Sequence, residues 1–163
     1  VFLEGASVMP FMTRLLSPQD QRTLLPLLAA YGAEMAPHLA GAAPATAPEM
    51  LKLITADPRA EILMAFRGDE ALGFAHFFDL PEIVFARRCG ALDDLFVRPS
   101  ARRQGVAQAL IEGLAALGQT RGWSHLRWMV PETDQAAIAL YERIATRAAW
   151  RSYVLRLSPE ASL

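Results

Sequence analysis

Apolar side chains along this chain follow two rhythms, one recurring at helical spacing and one forming short continuous or alternating runs, and the changes between them mark the elements. Leu24, Leu25, Leu27, Leu28 and Tyr31 share a helical face. Just before them, Ser17-Pro18-Gln19-Asp20 predicts a helix start, with Ser17 as cap, proline at the first helical position and an acid near the positive end. A loop rich in Ala, Gly and Pro follows at 37–45. A second capping box, Thr46-Ala47-Pro48-Glu49, then opens a short helix through Leu51, Leu53 and Ile54 that stops before Asp57-Pro58. Residues 60–67 and 71–80 are apolar runs flanking Gly68-Asp69-Glu70, the signature of an antiparallel hairpin. Beyond them the pattern predicts a strand at 91–97, a helix at 104–121 closed by Gly122, a strand at 125–130, a helix at 134–146 and a last strand at 150–157. With no repeat, linker or low-complexity tract, residues 10–163 suit one α/β domain, and residues 1–9 read as an N-terminal lead-in.

Between the strand at 91–97 and the helix after it lies the run Arg102-Arg103-Gln104-Gly105-Val106-Ala107. Gly105 permits a tight turn and close backbone approach, and the residues after it open a helix whose first N–H groups have no internal acceptor. Those donors and the positive end of the helix dipole form an anion cradle. The spacing fits neither the nucleoside-triphosphate loop nor the dinucleotide fingerprint.

What the run does resemble, preceded by Leu95-Phe96-Val97-Arg98-Pro99, is the acetyl-CoA signature of the GNAT superfamily of N-acetyltransferases. The helix Asp134-Gln-Ala-Ala137-Ile-Ala-Leu-Tyr141-Glu142 resembles the Asn-x-x-Ala-x-x-x-Tyr-Glu helix that these enzymes place beside the CoA arm. Leu92-Asp93-Asp94-Leu95-Phe96-Val97 is similar to the Leu-Glu-Asp-Phe-Phe-Val strand of the polyamine and thialysine branch. The resemblance implies a single-domain GNAT fold, an α/β mixed central sheet flanked by helices. It also implies acetyl-CoA as co-substrate, no metal, and a homodimer. In that reading the pyrophosphate is held by Arg102, Arg103, Gln104, Gly105, Val106 and Ala107, the CoA arm by main-chain groups of Leu95, Phe96 and Val97, and Asp134 lies near the cofactor. The chain departs from the family in having Asp134 where Asn is usual and Ile144-Ala145-Thr146 in place of Gly-Phe.

Composition narrows the partners. The chain has 163 residues, 53% of them hydrophobic, and a net charge of -1, which argues against nucleic acid as the main partner. Every apolar run is interrupted by charge or proline before it could span a bilayer, so no membrane partner is expected. The single Cys89 lacks sequence neighbours for a disulfide or zinc site and suits a reducing cytoplasm. The first residues lack the layout of a secretion signal. His38, His76 and His125 are too dispersed for a local metal motif.

Acetyl transfer to an alkylamine needs a neutral amine, a polarised thioester carbonyl and a proton for the departing thiolate. Asp93 stands where the branch has its presumed base; it is one methylene shorter than Glu, so a bridging water would relay the proton. Successive strand side chains point to opposite faces, so Asp93 and Asp94 can both face the substrate only if a bulge intervenes. They could instead pair with Arg87, Arg88 or Arg98. The resemblance makes Tyr141 the general acid; an aromatic packing role is the alternative. A small-molecule primary amine, including diamines and polyamines, leads the acceptors because Asp79, Glu82, Asp93 and Asp94 are expected on the acceptor side. A protein N-terminus or lysine stays open, as does a non-catalytic acyl-CoA sensor that keeps the cradle without turnover.

Overall fold

The computed structural model describes residues 11–39 and 41–157; the expected lead-in at 1–9 lies outside them. The order is β1 (Met12–Leu15), a 3-10 turn at Pro18–Asp20, α1 (Gln21–Met35), α2 (Ala47–Ala56), β2 (Ala60–Arg67), β3 (Glu70–Glu82), β4 (Arg87–Val97), α3 (Val106–Arg121), β5 (Trp123–Arg127) and α4 (Gln135–Ile144). The strands form one sheet in the order β1-β2-β3-β4-β5, antiparallel except where β5 joins β4 in parallel. This is the mixed central sheet flanked by helices that the sequence predicts.

Both helix starts read from the sequence are built as capping devices. The Asp20 carboxylate accepts from the Ser17 N–H at 3.1 Å and its Oγ at 2.6 Å, and pairs with Arg14 at 2.5 Å. The Ser17 hydroxyl and then Arg14 hold this carboxyl below its ordinary value against the opposing effect of burial. Glu49 likewise accepts from the Thr46 N–H at 2.8 Å and Oγ1 at 2.7 Å.

The continuous apolar run of β2 is explained by burial on both faces. Ile62, Met64 and Phe66 face α1 with Leu24, Leu28, Phe74 and Phe96. Leu63 and Ala65 face α3 with Leu72, Phe77, Leu92, Leu110 and Leu114.

Several boundaries differ from expectation, each for a local reason. Helix α3 begins at Val106, two residues later than the pattern suggests, because Gly105 is a left-handed cap with φ 90°. At its other end Gly122, φ 70°, turns the chain into β5 at once, so that strand ends at Arg127 instead of occupying 125–130. Helix α4 ends at Ile144, before the expected 146. Residues 150–157 form no strand, and Trp150 and Leu157 are each 90% exposed. Their β-forming side chains are not enough: a strand exists only where a neighbour accepts its ladder and packs its side chains.

Trp123 is wedged between two glycines. A Cβ at Gly90 would lie 2.3 Å from its ring, and one at Gly118 would lie 2.5 Å away. In an open helix Gly→Ala gains about 1 kcal/mol, but overpacking a core costs about 1–3 kcal/mol. Gly118→Ala is therefore expected to lower the Tm. A raised Tm in thermal unfolding would show that the indole moves aside freely.

Candidate active site

The acidic pair sits at an irregularity in the centre of the sheet. Down the β3–β4 hairpin the register is regular to Phe77↔Leu92, but the next pair is His76↔Asp94, which leaves Asp93 as the extra residue of a bulge. Leu92 and Leu95, three apart, both pack on the α3 core. Strict alternation would put them on opposite faces. At the bulge the carboxylates of Asp93 and Asp94 come within 4.8 Å of one another, and the charge of Asp94 helps to raise the Asp93 carboxyl.

Asp94 is held from two elements. The Tyr31 hydroxyl, from α1, donates to Oδ1 at 2.5 Å, and Nδ1 of His76, from β3, lies 2.9 Å from Oδ2. Burial would raise the Asp94 carboxyl, but the bonds from His76 and Tyr31 outweigh it and leave it below its ordinary value. Asp93 is more open, and burial followed by the charge of Asp94 pushes it up, against a lowering by His76. The Tyr31 phenol is raised strongly, by burial first and then by Asp94. Ligand atoms of His76, Asp93 and Asp94 lie within 4.8 Å of one another. Two of the three arginines considered as partners for the pair are engaged elsewhere, Arg88 with Asp79 at 2.5 Å and Arg98 with Glu70 at 2.5 Å, and Arg87 lies opposite Glu82 at the end of the hairpin.

Below the bulge, β4 has one paired and one bare edge. Its parallel register with β5 ends at Ala91↔Arg127, while its antiparallel register with β3 continues to Val97↔Gly73. The segment Leu95, Phe96 and Val97 therefore carries main-chain groups along an edge with no strand beside it among the described residues. A Cβ at Gly73 would lie 2.4 Å from the Phe96 carbonyl oxygen, so only glycine allows β3 to approach there.

That edge runs into the loop before α3. Arg103, at φ 61°, and Gly105, at φ 90°, both take left-handed conformations, and the N-terminus of α3 receives no side-chain cap. The N–H groups of Val106 and Ala107 thus open the helix as free donors. The loop's longer side chains brace it. Arg102 Nε donates to the Val97 carbonyl at 2.9 Å, and its guanidinium pairs with Glu34 of α1. Gln104 Nε2 donates to the Ser100 carbonyl at 3.0 Å, and its Oε1 accepts from Arg67 at 2.8 Å. Arg102, Arg103 and Gln104 are all exposed, and Arg102 and Gln104 are structural struts as well as candidate cofactor contacts.

Helix α4 brings Tyr141 to the α3 side of the sheet, where it packs on the core and meets Trp128 edge to face at 5.3 Å. Burial, then the charge of Asp134, raises its phenol above the ordinary value. Asp134 itself caps α4, accepting from the Ala137 N–H at 3.0 Å.

One sequence expectation needs correction. The acceptor-side acidic cluster shrinks to Asp93 and Asp94. Asp79 is neutralised by Arg88 and by Arg121 at 3.4 Å, and Glu82 lies at the far end of the hairpin. Cys89 is buried and free, with its Sγ within 4.8 Å of side-chain atoms of the half-buried Glu82 and His125. The sequence reading also missed Tyr31 and His76 as members of the site. The hairpin could have suggested His76, since counting pairs back from Glu82↔Arg87 places it opposite Asp93, one residue from its true partner.

Among the described residues no helix is long and apolar enough to cross a membrane. The model of the Acetyltransferase (GNAT) family matches residues 27–145. Over 84 residues the chain is 33% identical to the thialysine N-ε-acetyltransferase of Caenorhabditis elegans, a match covering 50% of each protein. Over 86 residues it is 37% identical to the mycothiol acetyltransferase of Salinispora tropica, covering 52% of this chain and 27% of that one. The chain thus spans at most half the length of these curated relatives. Among solved structures, the ribosomal-protein-alanine N-acetyltransferase of Brucella melitensis biovar Abortus 2308 superposes with a TM-score of 0.76 at 33% identity, covering 91% of this chain and 100% of that one.

Proposed function

The chain belongs to the acetyltransferase (GNAT) family, and on that footing we propose that it transfers the acetyl group of acetyl-CoA to a primary amine of a small molecule, with diamines and polyamines as the leading acceptors. The observation that carries this reading is the bare edge of β4, which begins at a bulge bearing two carboxylates and ends at the uncapped N-terminus of α3. One end suits a cationic amine. The other suits a pyrophosphate, with the amides after Gly105 as donors, and between them the bare main chain of Leu95 to Val97 can hold the extended arm as an added strand would be held.

Each protein group then has a separate task. Asp93 attracts the ammonium and takes its proton through a water, so that the amine nitrogen can attack the thioester carbonyl carbon. A main-chain N–H at the bulge polarises the carbonyl oxygen. As the carbon–sulfur bond breaks, Tyr141 gives its proton to the thiolate, and the proton that the acylated nitrogen sheds restores the phenol; a phenol raised by burial is fully protonated at neutral pH, as a donor must be. No step calls for a metal. The exposed Trp150, Tyr153, Leu155 and Leu157 support a second copy of the chain as a further partner, which sedimentation would reveal.

Asp93→Asn tests the reading, since it keeps size and removes charge. It is expected to depress kcat/KM for a diamine by about 10²-fold or more and for a neutral aromatic amine much less, with acetyl-CoA affinity unchanged. Equal losses on both acceptors in a CoA-release assay would make Asp93 structural. A protein α-amine is the second reading, favoured by the 33% identity to the Brucella enzyme over 91% of the chain. Peptides in the same acceptor screen separate the two, and acetyl-CoA binding without CoA release on any amine would point to a sensor.

A further inference from the structure

Asp94 adjoins the base assigned above, yet its own oxygens are occupied. One accepts from Tyr31 at 2.5 Å and the other lies 2.9 Å from His76 Nδ1. A carboxylate bonded at both oxygens is a poor proton acceptor. The imidazole is committed too: 14% exposed in the side chain, it spends one nitrogen on Asp94, and its buried Nε2 has no hydrogen-bond partner among the described residues. Carrying the proton on Nδ1 lets the ring donate to Asp94. The Tyr31 ring is fixed in turn by Phe74 and Phe96, each at 5.8 Å. Two elements, α1 and β3, thus meet on one carboxylate of β4, and none of the three side chains moves a proton in the mechanism above.

We infer that Tyr31, Asp94 and His76 form a positioning network that holds Asp94 as a permanent anion behind the bulge and thereby sets the proton affinity of Asp93. This rests on the reading of Asp93 as the group that receives the amine proton. The two near neighbours act on Asp93 in opposite senses: the anion of Asp94 makes its ionisation harder, and the positive charge of His76, in the cationic form in which Nδ1 still donates to Asp94, makes it easier. From α1, Tyr31 and Glu34 face the cluster, with Glu34 already paired to Arg102. A carboxylate whose proton affinity is lifted toward working pH is a stronger base than a free aspartate, and the network supplies that lift without letting Asp94 compete for the proton.

The signs give a test that general loosening of the fold would not imitate. With Asp94→Asn, Asp93 loses the adjacent negative charge and should titrate at lower pH. With His76→Gln it loses the lowering influence and should titrate at higher pH. Tyr31→Phe, which keeps the ring packing, should raise the titration of Asp94 and leave Asp93 nearly where it was. Carboxyl carbon resonances followed against pH in the purified protein read both groups directly, without turnover. The acid limb of kcat/KM with a diamine should move in the same directions.

If Asp93 titrates identically in wild type, Asp94→Asn and His76→Gln, or moves the same way in both variants, the network proposal fails. If the carboxyl shifts occur while the acid limb stays fixed and survives Asp93→Asn, the network stands and the assignment of Asp93 as base falls. Should Asp94→Asn not fold, the upward move of Asp93 in His76→Gln, set against its unchanged titration in Tyr31→Phe, still decides the question.

Discussion

Tyr141→Phe is expected to lower kcat by about 10²- to 10⁴-fold, the usual range for a general acid, while changing the affinity for acetyl-CoA little. The phenol proton matters as negative charge gathers on sulfur, a condition of the transition state and not of the bound ground state. The structure makes the substitution clean. The ring packs edge to face on Trp128 at 5.3 Å and against the α3 core, contacts that phenylalanine retains. No compensating donor stands in its place on α4, where the neighbouring Leu140 and Glu142 offer an apolar chain and a carboxylate. The measurement is single-turnover CoA release in the purified variant, where chemistry limits the rate. Wild-type turnover would return Tyr141 to a packing role.

Gly105→Val should weaken acetyl-CoA binding by about tenfold or more through the backbone. The position is roomy, the nearest atom to an added Cβ being Phe11 at 3.7 Å, so a clash inside the protein is not the cause. The cause is φ 90°, which an L residue reaches only at a cost of about 1–3 kcal/mol and a β-branched one least readily. Relaxing that strain swings the amides of Val106 and Ala107 away from the direction an anion needs. Gly122→Val is the matched control, since Gly122 has φ 70° and nothing within 4 Å of an added Cβ, at the opposite end of the same helix. Both variants should lose stability, but calorimetry should find the affinity loss only at Gly105. Equal affinities would remove the pyrophosphate from this loop.

What could be read from the sequence divides by the range of the forces involved. Capping at Ser17 and Thr46, the turn at Gly68 and the glycine before α3 are decided within a few residues, and the structure has each of them. Residues 60–67 were legible because two buried faces demand one continuous apolar run. The bond from Tyr31 to Asp94 joins positions 63 residues apart and depends on how α1 lies across the sheet, which no local pattern encodes. Hairpin counting alone would place His76 opposite Asp93, one residue off, since it assumes a regular ladder and the bulge at Asp93 shifts it. The expected strand at 150–157 failed for the opposite reason, a strong local preference with no neighbouring strand to satisfy it.

The wedging of Trp123 between Gly90 and Gly118 also divides the chain's intrinsic fluorescence into separate reporters. That indole is clamped in the core, Trp128 rests against Tyr141, and Trp150 stands 90% in solvent. A soluble quencher should extinguish the red-shifted emission of Trp150 first. Trp128, touching the aromatic ring nearest the proposed thiolate, is then the indole whose emission responds when the site fills, and Trp123 is the one that holds its colour until the sheet itself comes apart.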